Sequence, residues 1–260
     1  GIGQPVPRKE DDRLVTGHGA YTGDLGRPNL HHGVVVRSPH AHAVVGSINV
    51  GGALAAPGVV AVLTGEDAAA DGLGDLPCLA DTFDPSGEMR PYILGHEARV
   101  PPRPILAQGR VRFVGDAVAF IVAETTAQAH DAAALIEVAY APLPVTIGTE
   151  RAAQPGEAQI WDDWPNNVAF TFETGDRQAT DAAFAAADRV IAVDLVNNRV
   201  VANTMETRVA VGEIDGDVLR IHVGCQGPHN LRNMLADSIF SLPPEKIDVV
   251  SGDVGGGFGM

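Results

Sequence analysis

The chain has 260 residues, 45% hydrophobic and 20% charged, enough to bury one large or two ordinary cores. Its 33 acidic and 18 basic residues give a net charge of -15, which argues against nucleic acid and anionic lipid as partners, because both demand clustered Lys and Arg. No apolar run approaches the ~20 residues of a membrane helix, and Cys78 and Cys225 stand far apart outside any CxxC, so the expected compartment is the reducing cytoplasm.

Residues 1–14 are polar, carry Pro5 and Pro7, lack signal-peptide character and read as an extended arm. Strands are expected at Leu30–Arg37 and Val44–Val50, then a helical turn over Gly51–Gly58 broken by Pro57. Val59–Leu63 fits a short buried strand, and Thr64-Gly65-Glu66-Asp67 a cap into a short helix. Residues 70–104 are rich in Gly, Pro and Asp and read as a long surface excursion. Val111–Val114 and Ala117–Val122 are expected as strands joined at Gly115-Asp116, followed by an alanine-rich helix from Thr125 to Val138 with Thr126 as cap.

The stretch 145–158 is linker-like, and beyond it the pattern restarts. Strands are expected at Val168–Glu173, Val190–Val196, Thr207–Glu213, Val218–Val223 and Ile247–Val250, with helices at Ala179–Ala187 and Pro228–Phe240. Groups of strands with single helices argue an α+β fold.

The chain closes on Gly255-Gly256-Gly257-Phe258-Gly259-Met260. Backbone without Cβ atoms can come close to a ligand oxygen or phosphate. The third glycine of a dinucleotide fingerprint would fall at Met260, so a Rossmann loop, another ligand-contacting loop and a plain turn all stay open. Gln226, in Cys225-Gln226-Gly227-Pro228-His229 at the mouth of a helix, offers N–H donors to an anionic or oxo ligand, or satisfies a loop carbonyl. His31-His32 and His40-Ala41-His42 have no partner at ligand spacing, and Arg37-Ser38-Pro39-His40 reads as a turn tied by its polar side chains. Glu206 is a carboxylate among apolar neighbours: a general base, or, preferred, an ion-pair partner of Arg199 or Arg208.

Taken together in order, these pieces resemble the large, molybdenum-binding subunit of the molybdenum hydroxylases, the group of xanthine dehydrogenases, aldehyde oxidases and aerobic carbon monoxide dehydrogenases. The resemblance is carried by Ile2–Arg8 with Leu14–Gly17, by Arg37–Ala43, by Pro57–Asp67, by Val114–Ala119 and by Val138–Pro144. It continues through Met205-Glu206, Gln226–His229 and Gly255–Gly259. It implies an N-terminal arm over 1–14, an α/β-hammerhead domain over 15–147 and the N-terminal part of a molybdopterin-binding domain over 158–260.

By the same resemblance the cofactor is molybdopterin with molybdenum, in the cytosine dinucleotide form, with no side chain ligating the metal directly. Gln226 would hydrogen-bond an oxo ligand, Gly257, Phe258 and Gly259 would line the metal, and the Phe258 ring would shape the substrate pocket. The implied reaction is hydroxylation or oxidation of an aldehyde, carbon monoxide or an N-heterocycle with water-derived oxygen. Electrons would leave through 2Fe–2S and FAD on partner chains. The family's glutamate base has no counterpart within these residues, so a chain carrying the rest of the molybdenum domain is expected as a further partner. A non-catalytic assembly module that keeps the hammerhead and binds no cofactor is the alternative.

Overall fold

A computed structural model describes residues 2–77, 92–93, 96–97, 101–169, 175–198 and 200–259. The chain forms two compact units, one of Gly1–Leu30 with Val200–Met260, the other of His31–Arg199. Cys78, Arg199, Met260, residues 170–173 of one expected strand and much of the 70–104 stretch lie outside the described residues.

In the unit 31–199, runs rich in Val, Ile and Ala between turn residues make the strands. They are β1 (His32–Arg37), β2 (Ala43–Asn49), β3 (Val59–Thr64), the two-residue β4 (Tyr92–Ile93), β5 (His96–Glu97) and β6 (Arg110–Val111), then β7 (Ala117–Ala123) and β8 (Glu137–Pro142). β7 is the middle strand of an antiparallel sheet ordered β1-β7-β3, and β2 is the middle strand of a second, ordered β6-β2-β8. Its central position explains why Val118, Ala119, Ile121 and Ala123 of β7 are fully buried. The helix Thr126–Ala133 lays Ala129 and Ala132 on Val62, Ile121 and Ala123, small side chains that let helix and sheet approach closely. A second core joins Ala43, Val45, Ala107, Val111 and Val118.

Some local expectations change. β6 and β7 do not form a hairpin: Arg110–Val111 pairs with β2. The Gly115-Asp116 turn is instead tied to Ser38, whose N–H donates to the Asp116 carbonyl while its carbonyl accepts the Gly115 N–H, both at 2.8 Å. Val60 falls where the pairing of β3 with β7 slips between Val59 and Ala61, and it is exposed rather than buried. Thr125, not Thr126, caps its helix by accepting the Gln128 N–H at 3.2 Å. That helix stops at Ala133 because Glu137 already pairs with Asn49 in the sheet. Val190–Val196 forms no strand: it has no neighbour to pair with among the described residues, and its large apolar side chains are exposed.

The other unit is a three-stranded sheet of β9 (Ala210–Asp215), β10 (Val218–Val223) and β11 (Ile247–Val250), ordered β11-β10-β9. β9 and β10 form the expected hairpin around Asp215-Gly216-Asp217. β11 runs parallel to β10, a pairing that needs a crossover. Helix Pro228–Met234, prolonged by a π-helical stretch Leu235–Phe240, supplies it, and Ala236, Ile239 and Ile247 are buried. The arm is not wholly extended, since Asp11–Val15 is helical. The arm and the residues that follow it to Leu30 are tied to this sheet by two arginines. Arg13 grips both carboxylate oxygens of Asp253. Arg27 donates to Glu213 at 3.1 Å, and the other oxygen of Glu213 lies 2.9 Å from Nε2 of the buried His222.

Candidate functional site

Because β10 and β11 are parallel neighbours, the loops leaving their carboxyl ends emerge on the same edge of the sheet, the edge where open α/β sheets place ligands. One loop is Gly224-Cys225-Gln226-Gly227 and the other runs from Ser251 to Gly259. Ser251 cross-links them: its hydroxyl accepts the Cys225 N–H at 3.3 Å and donates to the Cys225 carbonyl at 3.4 Å. Pro228 occupies the first helical turn, where its missing N–H costs no bond, and ends the Gln226 loop there.

The two loops meet through Gln226. Its Oε1 accepts the Gly259 N–H at 2.7 Å. Since a backbone N–H can only donate, this bond fixes which end of the amide is the acceptor. The Nε2 donors have no partner among the described residues. The stem lies so close to Gly257 that a Cβ there would fall 2.4 Å from the amide carbon, so any side chain at this position would have to displace the glutamine. Phe258 is left-handed at φ 49° and 79% exposed. A bulky residue held there stores strain of order 1–3 kcal/mol, a pattern typical of ligand-facing loops. A cavity of about 390 Å³ opens beside the loops, lined among others by Thr204, Gln226, Leu231, Met234 and Gly257, and is large enough for part of a cofactor.

Sequence reasoning brought Gln226, Gly257, Phe258 and Gly259 to one place, and the structure gathers all four. It did not anticipate that the Gly259 amide is spent on Gln226. Glu206, weighed as a general base or as an ion-pair partner of Arg199 or Arg208, instead accepts the Gly255 N–H on Oε2 at 2.6 Å, a backbone partner the sequence did not point to, while Arg199 lies outside the described residues. The loop is also anchored by the arm through Arg13 and by Ala20 just beyond it. Asp253 Oδ2 accepts the Ala20 N–H at 2.7 Å, and the Arg13 guanidinium together with that N–H holds the Asp253 carboxyl down to about 2. Glu213 is held below the usual carboxylate range, first by His222 and then by Arg27.

The histidines go elsewhere. His32 Nδ1 lies 3.0 Å from the Thr126 hydroxyl, His40 stacks at a tilt on Tyr140, and His42 is buried with Nδ1 3.1 Å from the Pro144 carbonyl. The Ser38 hydroxyl accepts the His40 N–H and donates to its carbonyl, each at 3.0 Å, so Arg37–His40 is the tied turn expected.

The residues present fit a cofactor with anionic and oxo groups: exposed amide donors on Gln226 with no protein partner among the described residues, four glycines in five loop residues, and an adjoining cavity. Residues 16–144 match the model of the aldehyde oxidase and xanthine dehydrogenase a/b hammerhead domain, and residues 160–260 that of the molybdopterin cofactor-binding domain. The carbon monoxide dehydrogenase large chain of Afipia carboxidovorans is 35% identical over 100% of this chain and 31% of its own length. The nicotine 6-hydroxylase large subunit of Paenarthrobacter nicotinovorans is 32% identical over 100% of this chain and 30% of its own. Among solved structures, quinoline 2-oxidoreductase from Pseudomonas putida 86 superimposes with a TM-score of 0.84 at 38% identity, covering 99% of this chain and 31% of that one. The chain thus spans about a third of the length of the relatives it matches. The chain belongs to the molybdenum hydroxylase large-subunit family and joins that family's α/β-hammerhead domain to residues of its molybdopterin-binding domain.

Proposed function

We propose that this chain is part of the molybdenum-binding subunit of an oxidoreductase that hydroxylates or oxidises an aldehyde, carbon monoxide or an N-heterocycle. The observation that carries this is Gln226, held by Gly259 so that its two N–H donors are left over at the mouth of a family-matched molybdopterin domain. When bound, molybdopterin with molybdenum supplies two-electron oxidation with oxygen derived from water. Gln226 would donate to an oxo group there, the Gly257 and Phe258 backbone would line it, and the exposed Phe258 ring would bound the substrate side and exclude water. The cytosine dinucleotide form, 2Fe–2S and FAD on partner chains, a chain or segment carrying the rest of the molybdenum domain, and a cytoplasmic setting belong to the same proposal. No helix among the described residues is long and apolar enough to cross a membrane.

The test is Gln226→Ala in the full subunit with its partner chains. Turnover should fall on the order of 10²-fold, the usual cost of losing one preorganised donor, with the complex still assembled. Unchanged turnover and unchanged molybdenum content would favour the assembly-module reading instead.

A further inference from the structure

Glu206 lies in the irregular segment that precedes β9, and its backbone carbonyl accepts from the Thr204 hydroxyl. One carboxylate oxygen takes the Gly255 N–H at 2.6 Å, a charge-assisted bond at the short end of the range. The other, Oε1, is buried and has no hydrogen-bond partner among the described residues. Leaving a carboxylate oxygen dry and unpaired is unfavourable, so packing alone does not account for a glutamate here. General-base work does not account for it either, since Oε2 is spent on backbone and Oε1 is closed to solvent.

The surroundings are two glycine backbones. A Cβ at Gly255 would fall 2.3 Å from the Glu206 Cβ, and a Cβ at Gly224 would fall 3.1 Å from Oε2. The side chain is therefore a wedge. On one side Gly224 leads directly into Cys225 and Gln226, and on the other Gly255 opens the loop to Gly257, Phe258 and Gly259. Gln226 closes the far end of the same loop through Gly259. The loop is thus clamped at its first and last glycine by two side-chain acceptors, and the near clamp is as long as one glutamate.

We infer that Glu206 is a positioning residue whose length sets the gap between the Gln226 segment and the Gly257–Gly259 backbone. Its functional consequence rests on reading that gap as one wall of the molybdopterin site. The test uses the full subunit with its partner chains and three variants. Glu206→Gln keeps length and an acceptor, Glu206→Asp keeps charge but is one methylene short, and Glu206→Ala keeps neither.

Amide hydrogen exchange at Gly255 should quicken on the order of tenfold or more in the Asp and Ala variants. It should stay close to wild type in Gln, with strand Val218–Val223 unchanged throughout. Molybdenum per chain should fall in the same two variants and be retained in Gln. Equal exchange at Gly255 in all forms would overturn the inference. So would protection in Asp with loss in Gln, which would make charge the determinant. If Glu206→Ala does not fold, the Asp and Gln pair still decides. If the wild-type subunit holds no molybdenum, the functional reading fails while the exchange pattern still judges the clamp.

Discussion

Gln226 lies against Gly257 so closely that the glycine has no room for a Cβ, and it accepts the N–H of Gly259 two residues on. Gly257→Ala must therefore push the glutamine aside. We expect turnover to fall by about the same 10²-fold as in Gln226→Ala, while urea unfolding of the hammerhead core stays put. Steady-state kinetics on the two variants side by side checks this. A Gly257→Ala enzyme with wild-type turnover would show that the side chain can relocate freely.

Asp253 ties the N-terminal arm to the glycine loop, and its carboxyl is held down to about 2 against an ordinary 3.8. The fold favours the ionised form. Its contribution is fully present above about 3.8 and is lost as pH falls from there through about 2. The difference in urea midpoint between wild type and Asp253→Asn should be constant from neutral pH to about 4 and shrink towards pH 2. At neutral pH the same substitution should release the already exposed Arg13 from its ion pair and loosen the backbone around it, and trypsin cleavage after that residue should speed up about tenfold.

Glu213 joins Arg27 to the buried His222. Glu213→Ala should lower the urea midpoint, because the imidazole loses its acceptor in a nearly dry position. Adding His222→Phe should recover part of that loss, since no polar nitrogen is then stranded. A double-mutant cycle in urea reads the coupling, and strict additivity would show that the pair does not interact.

Ile121 is the largest fully buried side chain of β7, the strand that both sheet neighbours and the helix Thr126–Ala133 pack against. Ile121→Ala should cost about 2–5 kcal/mol. Denaturant unfolding followed through Trp161 and Trp164, which lie in the same unit, is the measurement.

The α+β class and both strands of the β9–β10 hairpin were legible because each rests on a local pattern of alternation and turn chemistry, whereas Gln226, Gly257, Phe258 and Gly259 were singled out together only by the family resemblance, their local pattern leaving a plain turn open. What was not legible depends on who sits beside whom. Val111–Val114 looked like half of a hairpin with β7, but only Arg110–Val111 is a strand, it pairs with β2, and Ser38, far away in sequence, captures the Gly115-Asp116 turn. Val190–Val196 has the composition of a strand, yet a strand exists only with a pairing edge. Glu206 drew notice as a charge among apolar residues, and its sequence neighbourhood offered arginines. Its partner, the Gly255 amide, lies 49 residues on and is visible only once β10 and β11 are parallel.

The first thirty residues share a unit with residues 200–260, so everything from His31 to Arg199 is inserted into that unit's sequence. On a ribosome the order of events follows. At ~5–20 residues per second, the inserted unit can fold as soon as it emerges, while Arg13, Ala20 and Arg27 wait on the order of ten seconds or more for Asp253 and Glu213 to be made. Until then Arg13 and Arg27 lack the carboxylates they pair with, so this segment closes onto its sheet only after the whole inserted unit has been made.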